Sequence, residues 1–160
     1  MVEKGVVNAR FQIPHLKHIE YILAAKMRCQ KLYIGITNPD PSCVRESVND
    51  EVRSTPAANP LTYLERYEML KGVMEEFNVP LSAYEIVPFP IHRPEFITQY
   101  TPVDGVYYLG ICDGWDEEKL KILKGLDLKT EVLWRRSKEE CGVTGTWIRS
   151  CIATGQEWEH

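Results

Sequence analysis

Two histidines, His15 and His18, stand three positions apart where a predicted helix begins, directly after a predicted strand in the stretch "NARFQIPHLKH" (8–18). Free backbone N–H groups and the helix dipole favour an anion at such a position, so we expect phosphate to bind here. Two other interpretations stay open, a metal site and a purely structural role. Zinc sites usually need three or four ligands, and the other histidines of the chain are only His92 and His160.

A second stretch near the other end of the chain, "GVTGTWIRS" (142–150), has a similar character. Thr144, Gly145 and Thr146 can offer backbone and hydroxyl donors to phosphate oxygens, and Arg149 follows about one helical turn later. Alone, this pattern is typical of any capped terminal helix. Together with the histidine pair, it favours a phosphate site built from both ends of the chain.

The elements that would position these residues alternate along the chain. Helical periodicity is clear at 16–29 and 59–77, where Asn59 is the expected cap and Pro60 the first residue, and shorter helices are expected at 116–124 and 146–154. Between them, short apolar runs predict buried parallel strands at 5–11, 31–37, 84–89, 103–109 and 130–134. The proline-rich stretch 38–60 is predicted to be a long loop. The expected fold is therefore α/β, a doubly wound, Rossmann-like, five-stranded parallel sheet with helices on both faces and ligands at the carboxyl ends of the strands.

Composition limits the class of protein. The 160 residues suit a single domain, and 26% charged with 44% hydrophobic residues is ordinary for a folded, water-soluble protein. A formal net charge of −4 argues against nucleic acid as the main partner. No apolar run is long enough to span a membrane, and no secretory signal is visible, so we expect a cytoplasmic location. The five scattered cysteines predict reduced thiols.

At this point the motifs resemble a known family. "ARFQIPHLKH" is similar to the GRFQPFHxGH motif, and "VTGTWIR" to the ISGTxIR motif, of the nucleotidyltransferase superfamily named for its HxGH signature. "NPLTYLER" (59–66) resembles the NPFTxxER segment of archaeal-type nicotinamide mononucleotide adenylyltransferases, and Arg136 stands where they carry an arginine before the second signature. The resemblance covers nearly the whole chain and keeps the order of the motifs.

The resemblance implies transfer of a nucleoside monophosphate from a nucleoside triphosphate to a phosphate-bearing acceptor, with release of pyrophosphate and with Mg²⁺ as cofactor. His15, His18 and Arg149 would then be catalytic, binding the triphosphate and stabilising the transition state. The residues implied to bind the nucleotide are Ala9, Arg10, Phe11, Gln12, Lys17, Arg136, Thr144, Gly145 and Thr146. No protein metal ligand is assigned.

The chain departs from the family pattern in two places. Ala9 and Lys17 replace glycines of the first motif, which implies altered geometry at the donor site. After the third strand, the family carries an aspartate, asparagines and a tryptophan that recognise the nicotinamide nucleotide, whereas this chain reads "PFPIHRPEFITQYTPVDG" (88–105), which contains no asparagine and no tryptophan. His92, Arg93 and Phe96 are the candidate acceptor-binding residues there. A site without its old hydrogen-bonding groups discriminates against the old substrate, so the acceptor is expected to differ.

Three hypotheses follow. The first is a nucleotidyltransferase, with CTP slightly favoured over ATP, that acts on a small phosphonate or phosphate acceptor. The second keeps nicotinamide mononucleotide and ATP as substrates, and the third is a catalytically silent nucleotide-binding domain. The chain stops at "WEH", where the tail of the family continues, which suggests a domain cut from a longer protein. A similar arrangement occurs in phosphonate-antibiotic pathways, where a cytidylyltransferase domain is fused to a phosphoenolpyruvate phosphomutase. Homo-oligomer formation is left open.

Overall fold

The computed structural model describes residues 1–39 and 60–137 of the chain. These residues form five strands and three helices, with 3₁₀ turns at Leu81–Ala83 and Pro94–Gln99. A helix stands between successive strands except between the third and the fourth, which the turn Pro94–Gln99 connects. The strands are β1 (Val2–Ala9), β2 (Cys29–Ile36), β3 (Tyr84–Pro88), β4 (Val106–Ile111) and β5 (Lys129–Arg135). The helices are α1 (Leu16–Lys26), α2 (Tyr63–Glu76) and α3 (Gly114–Gly125).

All strand pairs are parallel, and the strand order across the sheet is β3-β2-β1-β4-β5. The order reverses direction at β1, because the chain first proceeds outward to β3 and then returns to place β4 on the other side of β1. Ligands of such sheets bind at this switch point, beyond the carboxyl ends of the strands. The carboxyl end of β1 is where the histidine motif begins, so the fold places that motif at the expected ligand edge.

Each face of the sheet has its own apolar core. One core packs α1 and α2 on the sheet, with Ile22, Ala25, Leu70 and Met74 as the buried helical residues. The other core packs α3 and the segment after β3 on the opposite face. Helices therefore cover both faces, and the prediction of a doubly wound α/β fold is confirmed.

The strand predictions are confirmed in number and order, with ends that differ by up to three residues. The predicted start of the second helix is wrong. The helix α2 begins at Tyr63, with Thr62 as its cap, and not at Pro60 with Asn59 as its cap. Thr62 and Glu65 form a capping box in which each side chain accepts a hydrogen bond from the other residue's backbone N–H. This reciprocal pair satisfies two helix-end donors, whereas Asn59 before Pro60 would satisfy one.

Residues 40–59 of the predicted loop at 38–60 and the predicted helix at 146–154 lie outside the described residues. Within the part that the structure describes, no helix is both long and apolar enough to cross a membrane. Cys29 is a free, buried thiol, and burial raises its pKa above the usual value. Cys112 is disulfide-bonded, so the prediction of reduced thiols is wrong at that position.

Candidate active site

The segment that follows β1 makes a strained turn toward α1. Phe11 and Ile13 adopt positive φ angles of 52° and 98°, which side-chain-bearing residues rarely do. Both side chains are buried, and their packing offsets the strain. Strain of this kind is often retained at functional sites, where the surrounding structure holds a segment in one geometry. Ala9 ends β1, and its carbonyl accepts a hydrogen bond from the N–H of Thr37.

The two histidines form the N-terminal cap of α1. The Nδ1 atom of His15 accepts from the backbone N–H of Lys17 at 3.3 Å, and the Nδ1 atom of His18 accepts from the backbone N–H of His15 at 3.2 Å. This is the geometry of a capping box built from imidazoles instead of a hydroxyl and a carboxylate. The imidazole rings stack with centroids 4.0 Å apart, and the edge of Phe11 supports His18 at 4.8 Å.

These hydrogen bonds decide where the imidazole protons lie. A nitrogen that accepts a hydrogen bond carries no proton, so each neutral ring holds its proton on Nε2. Both rings are therefore oriented as Nε2–H donors, which suits contact with phosphate oxygens. A neutral ring in this state offers no free nitrogen lone pair. Among the residues that the structure describes, no group of three or more metal-binding side chains is found.

Leu61, which directly precedes the α2 cap residue Thr62, is hydrogen-bonded to the segment after β1. The amide of Gln12 pairs with the backbone of Leu61, donating to its carbonyl at 3.0 Å and accepting from its N–H at 2.8 Å. Gln12 is only 3% exposed. The structure therefore gives this side chain a fastening contact, in addition to the nucleotide contact that the resemblance implies.

Arg66 of α2 is a residue that the sequence interpretation missed. Its guanidinium is 1% exposed and donates to the carbonyls of Arg10, Thr37 and Asn38, and also to its own helix at Thr62. One buried cation thus joins the ends of two strands to a helix. A signal was available, because Arg66 precedes the buried Leu70 and Met74 at intervals of four residues, on the apolar face of α2.

Strands β1 and β4 stop pairing before their carboxyl ends. The paired residues of these two strands are Gly5 with Val106 and Val6 with Tyr107. Beyond that point the hydroxyl of Tyr21 from α1 stands between the strands, accepting from the N–H of Asn8 and donating to the carbonyl of Tyr108. Burial raises the pKa of the Tyr21 phenol far above its usual value, so the hydroxyl stays neutral. At the switch point, β1 and β4 are therefore separated, and the hydroxyl of Tyr21 bridges them.

Arg136, predicted to bind nucleotide, lies just beyond β5 beside α1. Its side chain donates to Glu20 at 2.7 Å and covers the ring of Trp134 at 4.1 Å, while its backbone N–H bonds to Ile111. The hydrogen bond from Arg136 lowers the pKa of Glu20, and the charge of Lys17 on the same helix acts in the same direction. Two cations, Lys17 and Arg136, therefore act on Glu20 at the exposed side of α1.

The predicted acceptor residues lie in the segment after β3. Arg93 pairs with Glu95 at 2.7 Å and covers the ring of Phe96 at 5.2 Å, and both Arg93 and Phe96 are largely exposed. His92 is partly buried beside them. The hydrogen bond from Arg93 lowers the pKa of Glu95, which stays ionised near neutral pH. The three predicted residues are neighbours, and their segment starts at the same sheet edge as the histidine motif.

The second phosphate motif is not described by the structure. Thr144, Gly145, Thr146 and Arg149 lie outside residues 1–39 and 60–137, so their predicted roles stay predictions.

One curated protein is similar to this chain over almost its full length. The phosphonoformate cytidylyltransferase of Streptomyces viridochromogenes (strain DSM 40736) is 44% identical over 156 residues, which cover 98% of this chain and 84% of that protein. A scan against protein-family profiles finds no match.

Solved structures show the same fold at much lower identity. A bifunctional NMN adenylyltransferase/ADP ribose pyrophosphatase from Francisella tularensis, complexed with AMP and a manganese ion, matches with a TM-score of 0.67 and 14% identity. That match covers 97% of this chain, which spans only 42% of the Francisella protein. The lipopolysaccharide core biosynthesis protein of Thermoplasma volcanium matches with a TM-score of 0.53 and 16% identity, over 85% of this chain and 98% of that one. These likenesses concern the fold alone.

Proposed function

Because the chain belongs to the nucleotidyltransferase family that contains phosphonoformate cytidylyltransferase, we propose that it transfers CMP from CTP to a small phosphonate acceptor. The observation that carries the proposal is the 44% identity to that enzyme over 98% of the chain. An oxygen of the acceptor attacks the α-phosphorus in line and forms a new P–O bond. The bond to the bridging oxygen breaks at the same centre, and pyrophosphate leaves with its electron pair.

In this reaction the protein mainly positions the two substrates and stabilises the developing negative charge. In-line displacement needs the acceptor and the leaving pyrophosphate on opposite sides of the α-phosphorus, held close enough to react. Negative charge develops on the leaving oxygen and on the transferred phosphoryl group, where fixed donors stabilise it. The described residues supply such donors without a covalent enzyme intermediate.

His15 and His18 are the proposed donors to the triphosphate. Their Nδ1 atoms are held by the backbone, so each ring presents Nε2–H in a fixed direction. Lys17 and Arg136 would add positive charge on the exposed side of α1. Arg149 and the Thr144–Gly145–Thr146 segment remain the proposed partners of the β- and γ-phosphates.

Arg10, Gln12, Phe11 and Ala9 form the proposed floor under the α-phosphate. Their geometry is held by Arg66 and by the pairing of Gln12 with Leu61. We therefore propose that Gln12 acts chiefly by holding this segment in place, and that the contact with nucleotide comes from its neighbours.

A divalent ion is proposed to enter with the nucleotide. Mg²⁺ keeps several waters and is usually bound through substrate phosphates and one or two carboxylates, so no cluster of protein ligands is required. When bound, the ion would neutralise phosphate charge.

Arg93 is the proposed anchor of the phosphonate. Its planar guanidinium can grip a phosphonate with two parallel hydrogen bonds, and the ring of Phe96 already orients it. Glu95 occupies one edge of the guanidinium, so an arriving phosphonate would have to share or replace that contact.

The test is pyrophosphate release by the purified protein with Mg²⁺. We expect turnover with CTP and phosphonoformate, and little or none with ATP and nicotinamide mononucleotide. Turnover with the second pair alone would contradict the proposal and support the adenylyltransferase alternative. Absence of turnover with every nucleotide and acceptor tried would support the silent nucleotide-binding alternative.

A further inference from the structure

Asn8, the second-last residue of β1, has a buried amide without a partner. The residue is 3% exposed, and both its Oδ1 and Nδ2 atoms are buried with no hydrogen-bond partner in the described part of the structure. An amide that is buried and unpaired destabilises the fold, because it has lost its bonds to water and gained none. Such a group needs an explanation, and a ligand is one of the few available.

The side chain of Asn8 faces the sheet side that the acceptor segment covers. Alternation along β1 places Asn8 on the same face as Val6, which belongs to the core shared with Phe89, Ile91 and Ile97. Asn8 lies opposite Gly35 in the register of β1 and β2, and the ring of Phe89 covers Gly35 so closely that a Cβ there would meet it at 2.6 Å.

The segment 89–101 must cross β1 on this face. It begins with Phe89 packed on β2, and it ends with Thr101, whose hydroxyl contacts the Tyr107 hydroxyl of β4 at 2.8 Å. Because β1 lies between β2 and β4, the residues between these two contacts pass over β1. The same segment carries the candidate acceptor residues Arg93 and Phe96.

Asn8 also stands where the sheet opens. The pairing of β1 with β4 covers Val6 and Tyr107, and the next residue on this face of β1 is Asn8. The backbone N–H of Asn8 donates to the hydroxyl of Tyr21, which stands between β1 and β4, instead of to β4 itself. The amide is thus at the switch point, where doubly wound sheets bind their ligands.

We propose that the Asn8 amide is a specificity-determining group for the acceptor, donating from Nδ2 to a carboxylate or phosphonate oxygen of a small anionic molecule. The inference rests on the proposed function. α1 with its two histidines packs on the opposite face of the sheet, so triphosphate and acceptor would approach the α-phosphorus from different sides. In-line displacement requires that arrangement.

The proposal makes stability and binding change in opposite directions. Asn8→Leu keeps the branching of the side chain and removes the unpaired amide, so the ligand-free protein should melt at a higher temperature. The acceptor KM should rise about tenfold to 100-fold, the loss expected for one hydrogen bond to a charged group, while the donor KM changes little. Asn8→Ala, which cannot overpack the site, should raise the acceptor KM in the same way.

Thr101→Val is the matched control for stability. The Thr101 hydroxyl is buried like the Asn8 amide but is paired with Ile97 and Tyr107, so its removal should lower the melting temperature. The KM values are measured with whichever donor and acceptor the wild-type enzyme turns over. Calorimetric titration with phosphonoformate compares the acceptor affinity of wild type and variants without turnover. If CTP is not a donor, the proposed function is contradicted, but the role of Asn8 can still be tested by these two measurements. An unchanged acceptor KM and affinity, or an equal rise in both KM values, would overturn the role of Asn8.

Discussion

At the scale of single residues, the imidazole cap of α1 combines two tasks that are usually separate. The Nδ1 atoms of His15 and His18 complete the helix end, and the same bonds fix the Nε2–H groups as donors. A substitution can therefore damage the fold, the chemistry or both. The choice of replacement separates the two effects.

His18→Asn is expected to keep the cap and lose the chemistry, because the asparagine oxygen can accept the hydrogen bond from the N–H of His15. His18→Ala loses both. We expect kcat to fall by roughly 100-fold or more in each variant, the usual effect of removing a fixed donor from developing phosphate charge. Only the alanine variant should also melt at a lower temperature. Full activity in His18→Asn would return this residue to a structural role.

Glu20 gives a dependence of stability on pH. Arg136 lowers its pKa in the folded protein, so the pair stabilises the fold above the unfolded value of 4.5 and ceases to do so as the pH falls through the folded value. The Glu20 side chain is 42% exposed, so solvent limits the effect to less than about 1 kcal/mol. Urea titrations at pH 7 and pH 4 should show a larger loss for the wild type than for Glu20→Gln. Equal losses would mean that the ion pair contributes nothing to stability.

At the scale of elements, α2 is joined to the sheet edge by one buried arginine. Arg66→Lys cannot reproduce the donors that reach Arg10, Thr37 and Asn38, and it would leave buried carbonyls unpaired. We expect the free energy of unfolding to fall by about 2–4 kcal/mol, measured by urea denaturation. Arg135→Lys is the control, because Arg135 is exposed in its pair with Glu117 and should change stability by less than about 1 kcal/mol. Similar losses in both variants would contradict the role given to Arg66.

The segment 89–101 is held against the sheet by close packing on Gly35. Gly35→Ala would place a Cβ 2.6 Å from the Phe89 ring, so the segment must shift and carry Arg93 with it. We expect a loss of about 1–3 kcal/mol in the free energy of unfolding, together with a higher acceptor KM. Gly72→Ala in α2 meets no atom within 4 Å and should instead stabilise by about 0.5–1 kcal/mol. An unaltered acceptor KM in Gly35→Ala would show that the segment does not shape the acceptor site.

At the scale of the whole molecule, the identity of the base is the open question. A ligand that binds only the folded state adds about 2.7 kcal/mol of stability at 100 times its Kd. For a chain of this size, that should raise Tm by roughly 5–10 °C. In a thermal-shift panel with Mg²⁺ and ATP, CTP, GTP and UTP, we expect the largest shift with CTP. A larger shift with ATP would argue for an adenylyl donor.

Phosphonoformate is proposed as the acceptor because a relative acts on it, by its name, and the pyrophosphate assay decides this assignment.

The sequence by itself determined the order of strands and helices, the fold class and the position of the histidine motif. These follow from local causes, since apolar runs, helical periodicity and the place of a motif after a strand are properties of neighbours along the chain. The exact start of α2 was wrong because two adequate caps, Asn59 and Thr62, compete within a few residues, and the reciprocal bonds of Thr62 with Glu65 prevail.

Only the tertiary structure decided which polar side chains turn inward. The four-residue spacing with Leu70 and Met74 places Arg66 on the apolar face of α2. Only the structure shows that its donors meet carbonyls from two other segments. The strands β1 and β4 are about 100 residues apart in the chain and separate at the switch point. Because of this separation, the Tyr21 hydroxyl lies between them and the side-chain amide of Asn8 is left unpaired. Such roles depend on contacts between segments that are distant in the sequence, and local sequence patterns do not specify these contacts.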